Sequence, residues 1–118
     1  MSELKPHPLC IAKAYLVGKE ITEALGRLDA TFYFRLGEEE RKRIFIIVKY
    51  RIEHLIEGLE ELIEKGCFPE GLTEKVRSAV GLAKEALKLI DANPGEAYKK
   101  LSYAESILDD VTFTMYAY

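Results

Sequence analysis

The chain has no tryptophan, no glutamine and a single asparagine, Asn93. Amides deamidate when hot, and ion pairs gain relative value with temperature. A chain this poor in amides, with Glu and Lys dominating its charges, is therefore expected from a thermophilic source. No apolar run approaches the roughly 20 residues that a membrane-spanning helix needs. The first ten residues, MSELKPHPLC, lack both the charged start and the long apolar stretch of a secretory leader. These absences point to a cytoplasmic protein without a membrane partner. The net charge of −3 argues against a general nucleic-acid binder, which usually carries a basic field over the phosphates, and leaves room for a local basic face. Also missing are an internal repeat, a low-complexity tract, a glycine-rich phosphate loop and any Ser/His/Asp set. The reading leans away from an enzyme and expects no cofactor.

What is present is globular. With 118 residues, 48% hydrophobic and 31% charged, the chain suffices for one domain, residues 1–118, that buries a core without staples. Four segments carry apolar residues at alternating steps of three and four, the helical period. The first starts near Pro8 and has the stripe Cys10, Ala14, Val17, Ile21, Ala24, Leu28, Phe32. The second opens on Glu38, Glu39 and Glu40, which favour the positive end of a helix dipole. Its stripe is Phe45, Val48, Ile52, Leu55, Leu59, Leu62, and Gly66 supplies a left-handed cap. The third is expected to use Thr73 as N-cap and to carry Val76, Val80, Ala83, Leu87 and Ile90. In the fourth, Asn93 caps, Pro94 takes the first position and Glu96 reaches back to complete a capping box. Short turns make neighbours antiparallel. The expected fold is all-α: an antiparallel four-helix up-and-down bundle with two long and two shorter helices. A rival reading takes TFYF, RIFIIVKY and VTFTMYAY as strands of a small sheet. It finds no turn signal between Val48 and the helical pattern of Ile52 and Leu55.

Lengths single out one end. Helices of about 28 residues span about 42 Å, and helices of about 20 residues span about 30 Å. The shorter pair, starting near Gly66, stops short of the turn between the longer two. The uncovered tip holds Phe32, Tyr33, Phe34, Ile44, Phe45, Ile46 and Ile47. Five apolar residues in a row, Ile44 to Val48, point all round a helix axis, beyond what one neighbour hides. Left in water, such a patch is an aggregation hazard. The expected cover is a second copy, giving a homodimer, or a docked protein partner. The competing cover is the chain's own third and fourth helices or its tail.

Several constellations carry weaker chemistry. Cys10 and Cys67 fall at one end of the bundle, where a disulfide is one reading and two small apolar side chains the favoured one. His7 lies close by in sequence, but the three lack a fourth metal ligand. His54 has Arg51 three residues before it, which cannot ligate as a bundle di-iron site requires, and is read at the side or in solvent. Arg41, Lys42, Arg43, Lys49 and Arg51 form a basic strip beside the tip. With Tyr33 and Tyr50 to stack on bases, they offer an alternative, a single-stranded RNA surface. The acids of EEERKR weaken that field.

Two families enter by resemblance. Glu60, Glu61 and Glu64 match in spacing the EExxE half of a magnesium motif, and in this the chain resembles all-α nucleotide pyrophosphohydrolases. The ExxD half fails, because KLID puts Lys88 where a carboxylate is needed. The segment PGEAYKKLSYAESILDD resembles the archaeal family known as domain of unknown function 357, through Gly95, Ala97, Leu101, Tyr103, Ala104, Leu108 and Asp109. The similarity covers the C-terminal third. It implies an archaeal helical protein and transfers no catalytic residue. On their own chemistry, Ala97 and Ala104 let a neighbouring helix approach, and Tyr98 and Tyr103 flank that seam.

Overall fold

The computed structural model describes residues 6–117 and is all-helical: α1 (Pro8–Tyr33), α2 (Glu38–Glu64), α3 (Glu70–Leu89) and α4 (Pro94–Tyr116). Of the ten residues on which the leaderless reading rests, 1–5 lie outside those described. The aromatic and β-branched stretches of the rival sheet lie in helices, and no strand occurs among the described residues. No helix among them is long and apolar enough to cross a membrane.

The ends follow local chemistry. His7 caps α1 with its own ring, Nδ1 accepting from the Leu9 N–H at 3.0 Å, ahead of Pro8. At the end of α2, Gly66 takes φ +70°, the left-handed region where a side chain is strained. The Gly66 N–H then donates to the Ile63 carbonyl and the Cys67 N–H to that of Leu62, both at 3.0 Å. This paired closure satisfies carbonyls the helix leaves open. Asn93 caps α4 through the Glu96 N–H at 3.2 Å. The reciprocal half of the expected capping box is missing, because the Asn93 N–H already donates to the Leu89 carbonyl at 2.7 Å. The third helix starts earlier than expected, at Glu70 after Pro69. The Leu72 N–H finds the Pro69 carbonyl at 2.8 Å, so Thr73 lies inside the first turn instead of capping it.

Each helix touches two others: α1 packs on α2 and α4, and α3 on the same two, with diagonal helices apart. The core between them includes Ile21, Leu28, Ile52, Leu55, Leu59, Val76, Ile90, Leu101 and Val111, all fully enclosed. Side chains of this size each contribute about 1.5–3 kcal/mol by leaving water. Gly58 lets α1 pass close to α2, since a Cβ there would sit 3.2 Å from Val17 Cγ2. Ala97 and Ala104 are likewise fully enclosed, the small side chains of a close seam. Asp110, near the end of α4, has Lys75 at 3.3 Å, and the helix continues to Tyr116. The molecule is elongated, 58 × 19 × 18 Å.

Cys10 and Cys67, 57 positions apart in sequence, form a disulfide, with their Cα atoms 5.3 Å apart. The reading of the pair as two separate apolar thiols is thereby corrected. The closure of α2 at Gly66 delivers Cys67 to the first turn of α1. With both sulfurs committed and His7 Nδ1 holding a cap, a Cys/Cys/His metal site has lost its ligands. Closing a loop of this length limits the unfolded chain by about 4 kcal/mol in the chain-entropy account. The Cys10→Ser/Cys67→Ser variant is expected to retain its helicity and lose up to about that much stability in urea unfolding.

Candidate functional site

The α3–α4 turn sets the boundary of the site. Asp91 in that turn binds Lys49 of α2 at 2.6 Å. On the other side, Tyr98 at the start of α4 donates to Asp29 of α1 at 3.3 Å and meets the Phe32 ring edge-on, centroids 5.8 Å apart. Burial pushes the Tyr98 hydroxyl above its ordinary range, and Asp29 adds to the shift. From Lys49, α2 continues for about 16 Å to Glu38, with Phe45 and Val48 still entering the core.

Within this projecting segment the apolar run divides by direction. Phe45 and Val48 are buried in the core, and Ile44 is half-buried against it. Phe45 and Ile44 are thus removed from the expected partner surface: the chain's own core reaches them. Ile46 and Ile47 point outward, 62% and 40% exposed. Phe32, Tyr33 and Phe34 are also exposed, Phe32 with one ring edge against Tyr98 of α4. The seven tip residues consequently do not make one patch.

Sequence reasoning passed over what surrounds Ile46 and Ile47. Together with Glu20, Tyr50, Arg51 and His54 they line a shallow groove of about 530 Å³ along the α1–α2 seam. Tyr50 is 70% exposed, and its ring lies nearly parallel to that of His54, interplanar angle 11°. His54 Nδ1 lies 3.0 and 3.1 Å from the two carboxylate oxygens of Glu20. The Glu20 hydrogen bond and charge raise the His54 pKa above the ordinary histidine value. Glu57 helps, while Arg51 and partial desolvation oppose. The available signal was the outward period Glu39, Arg43, Ile46, Tyr50, His54, which steps by four, three, four and four.

The basic strip is split by its partners. Arg51 binds Glu23 at 2.6 Å and Lys49 binds Asp91, so these two charges are matched within the fold. Arg41, Lys42 and Arg43 are exposed, with no carboxylate in ion-pair reach among the described residues. The acidic run behaves similarly. Glu60 accepts from Lys84 of α3 at 3.1 Å, and Glu61 from Lys65 at 2.7 Å. Glu60 and Glu64 line a groove with Arg77 and Lys84, and Glu61 lines a different one beside Lys13. A magnesium site on this motif would need all three carboxylates to converge, and Glu61 faces away from the other two; no group of three or more His, Cys, Asp or Glu among the described residues is placed to hold a metal.

The chain matches no family model, no curated protein and no solved structure.

His54 gains an anionic partner on folding, so its native pKa lies above its unfolded one. The stabilisation is fully present below the unfolded pKa and is lost as pH rises through the native pKa. His54→Gln is therefore expected to lower the urea midpoint at about pH 6 and to leave it nearly unchanged at about pH 8.5. An equal loss at both pH values would assign His54 a packing role instead.

Proposed function

We propose that this protein is a non-enzymatic helical module that self-associates through the exposed part of the surface around residues 32–48. The observation that carries the reading is Ile46 beside Ile47 on the outer face of a projecting helix, with Tyr50 one turn on, all exposed. A second copy is the economical cover, because a twofold pairing lets one patch shield itself. The bundle is taken as antiparallel and up-and-down. In support, contact partners rise in number on one helix as they fall on the next: Glu20–His54 and Glu23–Arg51, Lys49–Asp91 and Glu60–Lys84.

A cytoplasmic setting and a thermophilic, archaeal source belong to the same proposal. Intracellular disulfides are a feature of hyperthermophile proteins, and ion pairs between helices gain value with heat. The resemblance of the C-terminal third to domain of unknown function 357 agrees with such a source and adds no activity.

A second reading rests on Arg41, Lys42 and Arg43, exposed at the projecting end with Tyr33 and Tyr50 on the same hairpin. It makes the tip a surface for single-stranded RNA. Glu38, Glu39 and Glu40 oppose it, three acids beside three bases. The nucleotide-hydrolysing alternative has least support, given the separate lysine partners of Glu60 and Glu61.

Light scattering over a concentration series is expected to show a monomer–dimer equilibrium, and a monomer up to millimolar concentration would remove the proposal. Ile46→Asp is expected to shift that equilibrium to monomer while holding the unfolding free energy of the monomer within about 0.5 kcal/mol. Phe45→Ala, by contrast, should cost about 3 kcal/mol of monomer stability. Retention of oligo-uridylate that weakens with salt would instead favour the RNA surface.

A further inference from the structure

The outward face of α2 is not merely apolar; it reads the same from both ends. Glu39, Arg43, Ile46, Ile47, Tyr50 and His54 are all exposed and lie within a narrow outward arc of the helix. A twofold axis placed between Ile46 and Ile47 sets Arg43 against Tyr50 of the second copy, and Glu39 against its His54. Residue numbers in each facing pair then have the same sum, as antiparallel helix pairing demands. The stripe from Glu39 to His54 is about 22 Å long, roughly four helical turns. A parallel pairing would instead put Glu39 on Glu39, Arg43 on Arg43 and His54 on His54, three like-charge contacts on one line.

Resting on the self-association reading above, we propose that two copies dock α2 against α2 in antiparallel register about Ile46 and Ile47. The contact between Glu39 and the second copy's His54 makes the dimer sensitive to pH. Isoleucines fill the centre, Arg43 lies over the partner Tyr50 ring, and the charged ends set direction and register.

The groups facing His54 can be named from each element. From α1 comes Glu20 at 3.0 Å. From α2 itself come Glu57, Arg51 and the stacked Tyr50. Arg51 is already engaged by Glu23 of α1 at 2.6 Å. Both α3 and α4 are held away from this face, Lys49 and Asp91 marking where α3 meets the other side of α2. The second copy adds Glu39, a further anion. A protonated His54 bridges Glu20 and that Glu39, whereas a neutral one leaves two carboxylates facing each other. Association is accordingly favoured below the His54 pKa and weakens as pH rises through it.

Sedimentation equilibrium at about pH 6 and about pH 8.5 is expected to show a dissociation constant about tenfold larger at the higher pH, two symmetric exposed pairs contributing roughly threefold each. His54→Lys keeps a fixed positive charge beside Glu20 and should retain dimerisation while flattening the pH response. Glu39→Gln should weaken the dimer at the lower pH only. Ile47→Cys, beside the axis, should cross-link to its own counterpart under mild oxidation. A wild-type chain that dimerises but shows no pH response, no effect of Glu39→Gln and no Ile47→Cys cross-link would overturn the register and leave self-association standing. A chain that is monomeric at both pH values overturns both.

Discussion

One mismatch of lengths governs this molecule. The turn between α3 and α4 meets α2 where Asp91 binds Lys49, whereas α2 runs on to Glu38. A helix with two neighbours buries the stripe that faces them and leaves the opposite side open. On one continuous helix that sidedness explains why Phe45 and Val48 enter the core while Ile46 and Ile47, adjacent in sequence, do not. It also explains why charged side chains gather on the same segment. Glu38 to Glu40 and Arg41 to Arg43 keep the projecting end hydrated while the isoleucines remain on its outer side.

The helices themselves were legible. Apolar spacing located all four, and residues with strong local preferences placed most ends: Pro8, the three glutamates before Arg41, Gly66 and the Asn93-Pro94 pair. The end that was misjudged shows the limit of such signals. Thr73 is a good cap by type, but Pro69 already orders the chain before it, and the hydroxyl turns back to the Pro69 carbonyl instead. Capping preference is local, whereas which of two candidates acts depends on where the loop from Cys67 delivers the chain.

Burial was harder to read than helicity. A run of five apolar residues invites the inference that all are uncovered, when period alone already assigns Phe45 and Val48 to one face and Ile46 to the opposite one. Of the candidate surface, Phe45 is enclosed and Ile44 half-buried while the others are exposed, and the groups beside Ile46 and Ile47 were not foreseen. Tyr50, His54 and Glu20 come together only through the α1–α2 register, which brings positions 34 apart in sequence within hydrogen-bond distance. No pattern along one helix contains that information.

That register is itself held from the far end. The disulfide joins the first turn of α1 to the residue just past the cap of α2, and Gly58 lets the two helices close on Val17 between the bridge and the groove. Sliding α2 along α1 by one turn, about 5.4 Å, would part His54 from Glu20 and Arg51 from Glu23. It would also drive the Gly58 contact into a larger side chain. The bridge and the close approach thus act on the groove without touching it. They fix which anion of α1 faces His54, and so which charge the outer face of α2 presents to a neighbour. A surface whose chemistry depends on one ion pair needs such an anchor more than a purely apolar surface does, because isoleucine tolerates a shift of a turn and a hydrogen-bonded imidazole does not.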